Sequence, residues 1–203
     1  MNVFVLCTGR SGSMTFAKAC EAITNYTSAH ESRIKLLGEE RVAYPLQHIE
    51  IDNRLIWFAG ALDKKYGTNA FYVHLQRDAN AVAHSFNKRW NNNFSIIKAY
   101  AETMLFQRLE ELMPQDRLAI CRDYVDTVNA NITSFLSNKP QKMTIHLEQI
   151  EAQFPVFWES IQAEGNLEAA LATFQQKHNS DSSNTAVQSQ SLLRDWYKKL
   201  SKR

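Results

Sequence analysis

Asn2-Val3-Phe4-Val5-Leu6-Cys7-Thr8-Gly9-Arg10-Ser11-Gly12-Ser13-Met14-Thr15-Phe16 is the stretch whose reading decides the fold. Val3 to Leu6 form an uninterrupted apolar run, the pattern of a strand buried on both faces, as in a parallel sheet. A turn carrying Gly9, Arg10 and Gly12 follows, and then a segment that reads as helix. Strand, glycine-containing loop and helix together aim free backbone N–H groups and a positive helix end at an anion. Gly9 and Gly12 let the backbone turn sharply, Ser11, Ser13 and Thr15 add hydroxyl donors, and Arg10 adds a permanent fork-shaped charge. The pattern predicts a phosphate-type anion site. It is not the triphosphate loop Gly-x-x-x-x-Gly-Lys-Ser/Thr, because no lysine precedes Ser13 or Thr15.

Outward from the loop, Phe16, Ala17, Cys20 and Ile23 recur at helical spacing, and Tyr26 to His30 read as a short strand. Glu31, just past that strand, lies where ligands bind in a parallel sheet; equally, it can begin a helix. Tyr44-Pro45 and His48-Ile49-Glu50 read as a loop. Asp52 then caps an expected helix whose apolar face is Leu55, Phe58, Ala59 and Leu62, closed by Gly67. Asn53 and Arg54, in its first turn, either face a cleft or simply meet solvent.

Ala70 to Leu75 is the next clear strand, running into Gln76-Arg77-Asp78 and a helix that Asp78 caps. Arg77 and Ser85 either converge on a second phosphate or satisfy local partners. One helix is expected from about Phe94 to Leu112 and another along the stripe Leu118, Cys121, Val125, Val128, Ile132 and Phe135, with Asn129 and Asn131 facing solvent. Lys142 to Leu147 alternates as a strand, and Pro155 interrupts the helical segment after it. A polar lid is expected at 178–191 and a basic helix at 192–203. Strands alternating with helices predict one α/β domain over residues 1–203, built on a central, mostly parallel sheet like that of the P-loop NTPases.

The bulk numbers agree with such a domain. The 203 residues are 44% apolar and 22% charged, and a net charge of +2 argues against broad binding to nucleic acid or membrane. Cys7, Cys20 and Cys121 have no paired spacing and read as reduced core thiols. The chain opens on its first strand and has no bilayer-length apolar run, so a cytoplasmic protein is expected. Asn25-Tyr26-Thr27, Asn93-Phe94-Ser95 and Asn131-Ile132-Thr133 match the glycosylation pattern without a secretory context. No His-x-x-x-His, Cys-x-x-Cys or Gly-x-Ser-x-Gly occurs, so no metal site and no hydrolase elbow is expected.

Together, Thr8-Gly9-Arg10-Ser11-Gly12-Ser13-Met14-Thr15 and Leu75-Gln76-Arg77-Asp78, with Ser85 further on, resemble the two nucleotide motifs of the sulfotransferase family. The resemblance implies 3′-phosphoadenosine-5′-phosphosulfate as donor and its desulfonated form, PAP, as product, with no metal. It implies that Thr8 to Thr15, Met14 included, hold the 5′ end and that Arg77 and Ser85 hold the 3′-phosphate. Glu31 stands where the tyrosylprotein-type members have their general base, with Arg33 in the place of the following arginine; His30 and His48 are reserves. Arginine at position 10 is closer to the bacterial and Golgi-type branch than to the cytosolic one. Ala79 replaces the usual proline, and the C-terminal Arg-Lys-Gly segment of the cytosolic enzymes is missing. Arg33, the Tyr44–Arg54 region with His48, Asn53 and Arg54, and the middle helices are expected to form the cleft for a small-molecule, carbohydrate or peptide acceptor. The competing readings are a small-molecule kinase and an inactive nucleotide-binding module on the same scaffold.

Overall fold

In the computed structural model, residues 1–175 are described. The expected lid at 178–191, His178 and the basic helix at 192–203 lie outside the described residues. Five parallel strands form the sheet, β1 (Asn2–Leu6), β2 (Thr27–His30), β3 (His48–Ile51), β4 (Ala70–Gln76) and β5 (Lys142–His146), in the order β2-β3-β1-β4-β5. Helices α1 (Ser13–Cys20), α2 (Ala59–Tyr66), α3 (Ala79–Asn87), α4 (Ile96–Ala99), α5 (Pro114–Leu136), α6 (Ile150–Ser160) and α7 (Leu167–Gln175) flank it. The chain is thus an α/β fold with a five-stranded parallel sheet between helical layers.

The central strand decides the layering. Every residue of β1 is buried, and the side chains alternate. Phe4 and Leu6 enter one core with Tyr72, Phe86, Tyr124, Val125 and Val128. Val3 and Val5 enter the other with Phe16, Ile49, Ile51, Phe154 and Phe157. In the second core, Phe16 of α1 lies 5.3 Å from both Phe154 and Phe157, ring centre to ring centre. Aromatic packing from α6 therefore holds α1 against the sheet.

Because all strands run the same way, their carboxyl ends share one edge. The turn after β1, Glu31 after β2, Asp52 to Arg54 after β3, Arg77 after β4 and Leu147-Glu148 after β5 all lie there.

Five expectations need correction. His48 to Ile51 is not a loop but the strand beside β1, with Val3 opposite Ile49 and Val5 opposite Ile51. The single helix expected over 94–112 is instead α4, a π turn (Tyr100–Met104) and a 3₁₀ turn (Leu109–Glu111), broken where Phe106 takes φ +52°. The helix after Asp52 begins as a 3₁₀ turn (Leu55–Phe58), leaving Phe58 exposed. Helix α6 continues through Pro155, and Asn129 turns to the sheet, its Oδ1 lying 3.1 Å from His74 Nε2. Asp78 does cap α3, its Oδ1 accepting from Ala81 N–H at 2.8 Å.

Two outcomes follow from these cores. Phe16→Ala is expected to cost about 3–5 kcal/mol of stability, read as a lower urea midpoint. All three cysteines are buried and free, and burial pushes the Cys7 thiol up to about 11. A colorimetric thiol reagent at pH 8 should find no fast-reacting cysteine in the native protein and three after denaturation.

Candidate functional site

The turn after β1 has little room for anything but glycine where the sequence places it. Gly9 (φ +81°) and Gly12 (φ +86°) are left-handed; a methyl built on them would lie 2.6 Å from Asn53 Nδ2 and 2.7 Å from Leu147 Cδ1, respectively. Arg10 between them is also left-handed, at φ +59°. Gly12 forms the N-terminal boundary of α1, no side chain caps that end, and no acidic residue lies in its first turn. The first N–H groups of α1 are thus left for an external acceptor.

Around this turn the side chains divide into those facing outward and those folded in. Thr8 is buried; its carbonyl accepts from Tyr124 Oη–H at 3.1 Å and its Oγ1 donates to Gly9 O at 2.8 Å. Ser11 is fully buried, with its hydroxyl turned inward beside the Cys7 thiol. It can serve the turn only through its backbone. Ser13 Oγ meets His30 Nε2 at 3.0 Å, so the end of β2 touches the start of α1. Met14 is exposed and Thr15 half-buried, both in the first turn of that helix.

Three arginines converge here. Arg10 Nε donates to Ser85 Oγ at 3.1 Å, and Arg89 Nη1 donates to the same oxygen at 3.1 Å. Arg77 Nη1 donates to the Arg10 carbonyl at 3.2 Å. Among the described residues none of the three is paired with a carboxylate. Burial, and then the charges of Arg89 and Arg77, hold Arg10 below its ordinary pKa, although one side of it is open to solvent. Glu148 Oε1 accepts from Asp78 N–H at 2.9 Å and steadies the turn that carries Arg77. Sequence reading missed Arg89. Its spacing of one helical turn after Ser85 was the available signal.

A second group of residues flanks the turn on the β2–β3 side. Glu31 takes a left-handed backbone (φ +51°), and its N–H donates to Ile51 O at 3.0 Å. Arg54 Nη1 lies 2.8 Å from Glu31 Oε2 and 3.0 Å from Asn53 Oδ1. Since Asn53 also packs over Gly9, a continuous line of contacts joins Glu31 to the anion turn. Asn53 is buried and Arg54 half-buried, so neither sits at a solvated helix start.

Arg33 and His48 do not join it. Arg33 donates to Glu40 O at 3.1 Å and stacks over Tyr44 at 5.1 Å, so Arg54 takes the place beside Glu31 expected for Arg33. His48 is buried at the amino end of β3, the opposite edge of the sheet from the turn. Its Nε2 lies 3.0 Å from Glu50 Oε2 and its Nδ1 2.8 Å from Thr27 Oγ1. Glu50, itself fully buried, accepts from the Ser32 N–H and hydroxyl, both at 2.7 Å. This pair braces the segment that presents Glu31. Beside it the buried ion pair Arg41–Asp52, at 2.6 Å, fixes the turn after β3, where Asp52 Oδ1 also accepts from Arg54 N–H at 2.7 Å.

An open cleft of ≈250 Å³ adjoins Arg54 and is lined by Trp57, Phe58, Ile96, Tyr100 and Met104 among others. Of Arg33, His48, Asn53 and Arg54 only Arg54 lines it, and the expected middle segment supplies Ile96, Ala99, Tyr100, Thr103 and Met104. No three His, Cys, Asp or Glu side chains among the described residues are grouped to hold a metal ion, and no described helix is long and apolar enough to cross a membrane.

No protein-family model and no curated protein matches the chain. Among solved structures it is similar to mouse sulfotransferase SULT7A1 complexed with PAP, with a TM-score of 0.61 and 14% identity. The match covers 90% of this chain and 68% of the mouse one. At that identity the likeness is one of fold: the chain shares with that structure an α/β architecture, here built on a five-stranded parallel sheet.

Proposed function

We propose that the chain is a sulfotransferase that takes 3′-phosphoadenosine-5′-phosphosulfate as donor and releases PAP. The observation that carries this reading is the cluster of Arg10 and Arg89 on the Ser85 hydroxyl with Arg77 on the Arg10 carbonyl, beside an uncapped helix start. Like charges brought together in a partly desolvated place repel, so this is a site that anions stabilise. The α1 end suits a phosphate at the nucleotide's 5′ position, and the arginines with Ser85 suit a second at its 3′ position. Outward-facing charge and free N–H groups at the turn fit such a ligand; the buried Ser11 hydroxyl takes no part. That the mouse sulfotransferase is complexed with PAP agrees with the reading.

When bound, the donor supplies a sulfuryl group in a mixed anhydride, whose S–O bond breaks as the acceptor oxygen bonds to sulfur, the electron pair leaving on the 5′-phosphate. Arg10 and the N–H groups of the first turn of α1 neutralise charge that gathers at that phosphate. Arg77 and Arg89 hold the far end of the nucleotide and fix its register in the turn. Glu31 receives the acceptor's proton on the carboxylate that Arg54 orients at 2.8 Å. Asn53 keeps Glu31 and the turn in one arrangement, because it touches Gly9 and Arg54 together.

Calorimetry with PAP and a sulfuryl-transfer assay test the assignment. Arg89→Ala and Arg77→Ala are each expected to weaken PAP binding about tenfold to a hundredfold, the loss of one or two charge-assisted hydrogen bonds. Glu31→Gln should leave PAP binding within about twofold while turnover falls ~10²–10⁴-fold. Unchanged turnover in that variant would move the base to His30, which lies against Ser13. Magnesium-dependent binding of ATP in preference to PAP would sink the sulfotransferase reading in favour of a kinase.

A further inference from the structure

The cleft beside Arg54 has a composition that selects among acceptors. Its walls are Trp57 and Phe58 from the 3₁₀ turn after β3, and Ile96, Ala99, Tyr100, Thr103 and Met104 from α4 and the π turn. The Tyr100 hydroxyl does not face a ligand freely, since it donates to Asp123 Oδ2 at 2.5 Å. Thr103 Oγ1 is engaged with its own backbone at Ala99 O. Phe58 is held from its other side by Arg41, whose guanidinium lies 4.7 Å from the ring centre. The one charged group on the lining is Arg54, and that guanidinium is the one that holds Glu31. The lining is therefore apolar apart from two engaged hydroxyls and Arg54, which connects the cleft to the proposed base through its contact with Glu31.

We infer that this cleft takes the body of the acceptor, and that the acceptor is a compact apolar molecule bearing one hydroxyl, an alkylphenol or a short alcohol. This inference rests on the reading of Glu31 as the base. A carbohydrate carries a hydroxyl on nearly every carbon, and burying them against Trp57, Ile96 and Met104 would leave them without partners. An apolar body loses nothing on entering, and its single hydroxyl meets the Arg54–Glu31 end. The size agrees: ≈250 Å³ lies below the ~300–1,000 Å³ of pockets for drug-sized ligands. One ring or a short chain fills it.

Ligand-observed NMR on the full chain, with and without PAP, tests this without relying on turnover. The probes are 4-propylphenol, 1-hexanol and N-acetylglucosamine, and the variant is Met104→Glu, at an exposed lining position. Both apolar probes should bind and compete with each other, and their affinity should fall at least about tenfold in Met104→Glu while PAP binding stays unchanged. The sugar should neither bind nor compete. Binding of the apolar probes that Met104→Glu leaves intact, or a sugar that displaces them, overturns the inference. If PAP binds and the apolar probes do not, only the acceptor class fails. If the probes bind in the cleft and PAP does not bind at all, the cleft stands as an apolar site and the sulfotransferase reading fails.

Discussion

Two guanidinium groups share one hydroxyl oxygen and a third holds the backbone of the first, with no carboxylate among the described residues to offset them, and much of the structure serves to keep them there. Arg10 and Arg89 both donate to Ser85 Oγ, and Arg77 reaches the Arg10 carbonyl. Nothing in that set favours closeness except these hydrogen bonds and the rigidity of what carries them. Arg10 follows a strand buried along its whole length, Arg77 follows β4, which pairs with all five residues of β1, and Ser85 rides on α3, which packs against α5, with Arg89 in the turn just past its end. The apolar cores thus offset an electrostatic arrangement that would disperse on a looser scaffold.

The Glu31 side is built differently, from a buried ion pair, Arg41–Asp52, and a buried hydrogen-bonded pair, His48–Glu50. Arg41–Asp52 and His48–Glu50 are both nearly or wholly out of water. Burying such pairs adds little stability over well-packed apolar residues, because desolvation cancels most of the attraction. What they do here is directional. Glu50 takes both the N–H and the hydroxyl of Ser32, and Asp52 takes Arg41 on one oxygen and the Arg54 N–H on the other. Each carboxylate therefore fixes the backbone next to a group of the candidate site, Glu31 in one case and Arg54 in the other.

That chemistry also explains what could be read from the sequence. The β1–turn–α1 unit, β4, the Asp78 cap and the long apolar stripe of α5 were legible because each is a local pattern of burial or capping. Strand β3 was not, since His48 and Glu50 looked like loop residues. They are buried because they satisfy each other across the strand, a pairing that spacing alone does not announce. Arg33 was not legible as lying apart from the site for a similar reason: Glu31 takes a left-handed backbone, and Arg33 two residues on stacks over Tyr44 while Arg54 pairs with Glu31. The middle helix failed at positions no propensity marks, with Phe94 and Phe106 both exposed in left-handed conformations at either end of the segment that walls the cleft.

Strain and charge repulsion fall on the same residue, and this bears on how the site behaves. Arg10 is a non-glycine residue at φ +59°, between two left-handed glycines, and it carries the guanidinium that burial and two neighbouring cations disfavour most. Backbone strain of this kind, of order 1–3 kcal/mol, persists only where surrounding contacts over-determine it. Here those contacts are Ser85 on its side chain and Arg77 on its carbonyl. An anion at the turn acts on all of them at once: it removes the repulsion, gives the first N–H groups of α1 an acceptor, and leaves the strained backbone better held. On the proposed function the turn and α3 are coupled through the nucleotide as well as through Ser85, so that an anion seated at the turn also stiffens α3 at Ser85.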